Sequence, residues 1–110
     1  MNKIVDAVVR DLSQPYADGT PALEIHVPIE RADGLPFQLG TRVPIRLRVA
    51  GVDYQAGLRS TADNRVAWIS PDVYTSDGTR LTLGRVLTDA GFRANDHVRL
   101  QVNGETVVVL

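Results

Sequence analysis

The sequence predicts a mainly β fold: a small closed β-barrel of two duplicated halves, with one or two short helices. Three observations carry this prediction. Several stretches alternate apolar and polar residues with period two, the spacing of half-buried strands. A turn-and-strand motif recurs with its landmarks in the same order. Only one segment switches to helical spacing. The 110 residues, 44% of them apolar and 23% charged, suit one globular domain with a modest core. The expected organisation is therefore a single barrel domain over residues 1–110, with half-repeats at about 16–58 and 74–110.

At the N-terminus, Ile4, Val5, Val8, Val9 and Leu12 would fit one helical face, but the valine content favours a strand. A strand is expected, since Arg65-Val66-Ala67-Trp68-Ile69 stands at a similar place before the second Asp-Gly-Thr turn and reads as one. Leu23, Ile25 and Val27 alternate with His26 on the polar side of a second strand. Pro28 to Gly34 has room for a turn or two of helix, with Pro28 suited to its first turn.

The first hairpin is the best-determined element. Val43, Ile45, Leu47 and Val49 alternate with Arg42, Pro44, Arg46 and Arg48. A two-residue turn at Ala50-Gly51 would set Val49 opposite Val52, Leu47 opposite Tyr54, Ile45 opposite Ala56 and Val43 opposite Leu58. All of these are apolar pairs, so one register satisfies the whole face. Between Thr82 and Gly91 the period changes. Leu83, Val86, Leu87 and Ala90 take helical spacing, with Thr82 as N-cap and Gly91 just past the end. A second hairpin is predicted around Asn103-Gly104, a preferred type I′ dipeptide. It joins Val98–Val102 to Glu105–Leu110, and this last strand is apolar on both faces. That pattern predicts either full burial or a partner's cover.

The repeat aligns Gly34 to Leu47 with Asp89 to Val102. Phe37 coincides with Phe92, and Gly40-Thr41-Arg42-Val43 with Asn95-Asp96-His97-Val98. Upstream, Tyr16-Ala17-Asp18-Gly19-Thr20 echoes Tyr74 to Thr79. The order strand, short helix, polar turn, valine-rich strand and hairpin resembles the cradle-loop barrels over about residues 20–110. That group includes AbrB-like regulators and the DNA-binding pseudobarrels. In it, a Gly-Asp pair precedes a Val-x-Val strand, and neither polar turn here has that pair intact. The resemblance implies two interlocked half-units in one closed barrel. It also allows DNA recognition among several activities, because a fold alone does not fix function.

Composition removes several chemistries. There is no cysteine, so disulfides, thiol catalysis and cysteine-bound zinc are excluded. No apolar run reaches the roughly 20 residues that span a bilayer. The N-terminal stretch carries acids, unlike a signal peptide, so a cytoplasmic address and no membrane partner are expected. His26 and His97 have no ligand neighbours in sequence, and neither metal nor cofactor is expected. Ser13, Ser60, Ser70 and Ser76 lack a nucleophile-elbow context, and no phosphate-binding glycine loop occurs. Asp18-Gly19-Thr20 and Asp77-Gly78-Thr79 invert the aspartic-protease order and read as turns. Trp68 and Tyr74, flanking Ser70-Pro71-Asp72, are expected to pack in the core or at a corner, with ligand stacking as the alternative.

The candidate site is basic. Of twelve basic residues eleven are arginine, and the net charge is −1, so only local clustering gives them a role. From residue 40 to 65, five arginines (Arg42, Arg46, Arg48, Arg59, Arg65) face two aspartates (Asp53, Asp63), a local net of +3. The predicted register sets Arg48 opposite Asp53, Arg46 opposite Gln55 and Arg42 opposite Arg59. The first pair is an ordinary cross-strand ion pair. The last places like charges across a ladder, where they repel unless an anion such as phosphate joins them. Pro44, on the same face, suits an edge strand. The expectation is a non-catalytic module that binds DNA through Arg42, Arg46, Arg48, Arg59 and Arg65. The alternatives are a homodimer or protein partner held by the Val107–Leu110 strand, or a small-ligand or enzymatic site between the halves.

Overall fold

The computed structural model describes residues 3–12, 14–17, 19–60 and 65–110. Among these described residues, nine strands follow one another with one α-helix and one short 3-10 helix. They are β1 (Lys3–Asp11), β2 (Leu23–Pro28), the 3-10 turn Ile29–Arg31, β3 (Arg42–Val49) and β4 (Val52–Ser60). Then come β5 (Val66–Ile69), β6 (Asp72–Tyr74), β7 (Arg80–Thr82), α1 (Leu83–Asp89), β8 (His97–Asn103) and β9 (Thr106–Val109). Seven strands run in the order β3-β9-β8-β1-β2-β5-β4, and β4 pairs back onto β3 to close a barrel. Every pairing in it is antiparallel except β3 with β9, which is parallel. β6 and β7 lie outside the ring as a short extension from β4.

The period-two pattern explains the interior. Val5, Ala7 and Val9 point inward from β1, Leu23, Ile25 and Val27 from β2, and Ile45, Leu47 and Val49 from β3. Val98, Leu100 and Val102 do so from β8, and Val107 and Val109 from β9. The N-terminal segment is a strand, as its valines predict. It is long enough to pair with β8 over Lys3–Val8 and with β2 over Val8–Asp11. The helix forms where the period changes. The Thr82 hydroxyl accepts the Arg85 N–H at 3.3 Å, and Leu83, Val86 and Leu87 join the barrel core. Gly84 brings α1 so close to the Pro21 carbonyl that no side chain fits between them.

The second hairpin departs from its predicted turn. Asn103 is the last residue of β8 and pairs with Thr106, leaving Gly104 and Glu105 as the central residues. Gly104 takes φ 60° while Asn103 is not left-handed, the glycine-first pattern of a type II′ turn. An Asn-Gly turn would set Val102 against Glu105 on the buried face. The observed register sets Val102 against Val107 and Leu100 against Val109. Burial of four apolar side chains outweighs the dipeptide's turn preference. No helix among the described residues is long and apolar enough to cross a membrane.

Candidate nucleic-acid interface

The candidate surface is built on the β3–β4 ladder. Its eight pairs run from Val49↔Val52 at the turn to Arg42↔Arg59 at the far end, the predicted register throughout. Ala50 and Gly51 form the turn with φ of 51° and 81°. With Ile45, Leu47 and Val49 buried inside, Arg42, Pro44, Arg46 and Arg48 are exposed on the barrel's outer surface. Asp53, Gln55, Gly57 and Arg59 share that face from β4.

These arginines are not equivalent. Arg48 grips Asp53 with two hydrogen bonds, Nε to Oδ1 at 2.7 Å and Nη2 to Oδ2 at 3.1 Å. The bond from Arg48 holds the Asp53 carboxyl below the ordinary carboxylate range, and the charge of nearby Arg46 adds to the effect. Arg48 is thus already neutralised. Arg42, Arg46 and Arg59 have no ion-pair partner among the described residues. The Arg42 guanidinium lies over Gly57, the one residue of β4's outer face with no side chain to obstruct it. Arg65 is exposed just before β5, off the hairpin, and its carbonyl accepts the Ile29 N–H at 2.9 Å. Asp63, part of the predicted charge balance, lies outside the described residues.

Pro44 has a physical account. The Arg46 N–H donates to the Glu105 carbonyl at 2.8 Å, so even-numbered residues of β3 direct their N–H toward β9. β9 pairs with β3 only over Arg46–Val49. At Pro44 the missing donor would meet no strand. A groove of about 360 Å³ opens beside it, lined by Arg42, Pro44, Arg46, Gln55, Tyr74 and Glu105.

The ladder continues around the barrel. Arg59 is directly opposite Trp68 on β5, Trp68 opposite His26 on β2, His26 opposite Val8 on β1, and Val8 opposite His97 on β8. Directly opposed residues share a face, so these side chains form one outer row with Arg42 and Arg59. Of the core or corner packing expected for Trp68, this corrects the core placement of that side chain. It is half-buried but outward-facing, and Ala67 and Ile69 are the inward residues of β5. Neither Trp68 nor Tyr74 belongs to the apolar cluster, nor to the half-buried residues packed against it. Tyr74 sits opposite Gln55, which is opposite Arg46, giving a second and parallel row. Sequence reasoning missed both placements. The signal was the alternation Val-Ala-Trp-Ile, where burial of the smaller alanine turns the tryptophan out.

Other candidates resolve into structure. His26 Nε2 meets Glu24 Oε1 at 2.9 Å, and no group of three or more metal-ligating side chains occurs among the described residues. Asp77 is held below the ordinary carboxylate range by the Thr75 hydroxyl and then by Thr79, which makes it part of its own turn. Asp18 and Ser13 lie outside the described residues. β9 is hydrogen-bonded along both edges, to β8 and to β3, so it offers no open edge to a partner strand. A cleft of about 650 Å³ separates the hairpin tip from α1. Val49, Val52, Leu81 and Val86 help line it, and the rim residues Arg85 and Asp89 pair with each other at 3.4 Å.

Comparisons with protein-family models, curated proteins and solved structures found no match. The functional reading therefore rests on the geometry of this outer face.

Proposed function

We propose that the chain is a non-catalytic nucleic-acid-binding module that docks DNA on the outer face of the β3–β4 hairpin. The observation that supports this most is Arg42 directly opposite Arg59, with Arg46 on the same face and no carboxylate pairing any of the three among the described residues. Like charges across a ladder repel, and a phosphate between them turns that cost into two charge-assisted hydrogen bonds. Guanidinium groups suit this role through their planar, bidentate geometry. Arg48 contributes through Asp53 to the rigidity of the hairpin rather than to the anion. Arg65 lies off the hairpin, just before β5, and is not part of this site.

The net charge of −1 gives no long-range attraction, so affinity comes from these local contacts and depends steeply on salt. Three phosphates neutralised on a duplex give a log–log salt slope of about −2.7, or about a 40-fold loss between about 50 and 200 mM salt. Fluorescence anisotropy with labelled duplex and single-stranded DNA at those two salts tests the reading. The expected result is a salt-steep isotherm that disappears in an Arg42→Glu, Arg59→Glu double variant whose circular dichroism is unchanged. Absence of binding to either DNA at the lower salt overturns it.

A further inference from the structure

The two outward aromatics go beyond phosphate contact. From the rows that carry Trp68 and Tyr74 we infer that the preferred ligand is single-stranded nucleic acid, with a base stacked on Trp68. This inference rests on the arginine reading, because the same face supplies the charge.

Three facts converge on it. First, Trp68 is one strand away from Arg59 and two from Arg42 in a single cross-strand row. Adjacent strands lie about 4.8 Å apart, so the aromatic surface is within about 10 Å of both guanidinium-bearing positions. Second, the indole N–H has no hydrogen bond among the described residues, and no buried polar side-chain atom lacks a partner. The N–H is therefore at the surface. A tryptophan committed to the interior usually finds a partner for it. Third, the arrangement occurs twice. Arg46, Gln55, Tyr74 and Arg80 form a row like that of Arg42, Arg59, Trp68 and His26. The rows cross β4 at Gln55 and Arg59, four residues or about 13 Å apart. Each aromatic thus stands one strand beyond β4, beside the arginine-bearing hairpin.

A charged face interleaved with aromatic platforms is the chemistry that holds unpaired bases. The cations follow the backbone, and every base presents a π-face to stack. A duplex cannot use the platforms, because its bases are already stacked on each other. The acidic groups on this surface are largely paired: Asp53 with Arg48, Asp72 with Arg80 of the Tyr74 row at 3.5 Å, and Glu24 with His26 at 2.9 Å, while Glu105 lines the groove beside Arg42 and Arg46.

The chain has a single tryptophan, so its emission reports on Trp68 alone. The test titrates the full chain with an oligothymidylate about twelve nucleotides long. A blunt duplex of equal length serves as control, and both emission and anisotropy are followed. The expected result is saturable quenching by the single strand and none by the duplex. Trp68→Ala weakens oligothymidylate binding about tenfold or more, and Trp68→Phe restores most of the affinity. Circular dichroism of both variants separates loss of binding from loss of fold. If oligothymidylate binds and the Arg42→Glu, Arg59→Glu variant loses it, yet emission is unchanged and Trp68→Ala binds as tightly as the parent, stacking is refuted and the arginine reading stands. Tighter binding of duplex than of single strand likewise refutes the inference alone. No binding of either probe at about 50 mM salt overturns both.

Discussion

Gly57 and Gly84 are both close approaches without a Cβ, and they predict opposite outcomes for the same substitution. At Gly84 an added methyl would run into the Pro21 carbonyl, a backbone group that cannot rotate aside. Alanine would gain about 1 kcal/mol of helix propensity, but overpacking against backbone costs about 1–3 kcal/mol and distorts the α1–β2 contact. Gly84→Ala is expected to lower stability in urea unfolding by about 1 kcal/mol or more. At Gly57 the obstacle is the far end of the Arg42 side chain, which can swing into solvent. Gly57→Ala should leave stability within about 0.5 kcal/mol while changing DNA affinity, because it moves one guanidinium off the face. A matching stability loss at both sites would show that Arg42 is held as structure. At this scale the Arg48–Asp53 pair was legible in the sequence, since a two-residue turn fixes which side chains meet. Trp68 was not. β5 is four residues long and alternates Val66 and Trp68 with Ala67 and Ile69, so size alone gives the wrong face.

Turn chemistry governs the elements, up to the point where burial overrules it. In the β3–β4 hairpin the two agree, and the predicted register holds over all eight pairs. Its imperfection is Ala50, a residue with a Cβ at φ 51°, where asparagine or glycine is favoured. Ala50→Asn is expected to stabilise the protein by about 1 kcal/mol, visible as a rise in Tm of about 4–8 °C. An unchanged Tm would mean that the left-handed turn carries no strain. In the β8–β9 hairpin the two disagree. The Asn-Gly dipeptide is a strong local signal, yet its register would put Glu105 in the core opposite Val102, and the turn moves on by one residue. The polar turns before β3 and β8 were legible in another sense. Gly40 and Asn95, aligned by the repeat, adopt φ of 79° and 72°. The two Asp-Gly-Thr turns also share a hydrogen-bond pattern, Tyr16 N–H to the Thr20 carbonyl and Thr75 N–H to the Thr79 carbonyl. Beyond these turns the segments diverge. Leu23–Pro28 becomes a barrel strand, whereas Arg80–Thr82 is a short strand outside it that leads into α1.

The barrel as a whole is closed by pairings that no local pattern announces. Alternation and valine content pointed to the barrel strands but not to β6 and β7, and β3 and β9 lie about 60 residues apart in sequence and pair in parallel, while β1 divides its length between β8 and β2. Such contacts follow from burying the inward valines and leucines of seven strands in one core, and a sequence read in windows does not reveal them. The same closure explains why β9 looked suited to a partner. Val107 and Val109 point into the core, Val108 faces outward and is half-buried, and both edges of β9 are already paired within the barrel. Removing it would free the β3 and β8 edges together, and unpaired edges with an apolar inner face invite aggregation. The inward and outward valines of β9 separate these ideas by experiment. Val107 is fully buried, and Val107→Glu places a carboxylate in the core with nothing to pair it. That variant is expected to lose the cooperative unfolding transition and to aggregate. Val108 faces outward beside Gln101 and Arg48, and Val108→Glu should keep the parent's Tm within a few degrees and the parent's mass in sedimentation. A drop in mass for Val108→Glu, with the fold intact, would instead identify the outer face of β9 as a contact between copies of the chain, and would place assembly beside the nucleic-acid binding proposed for this barrel.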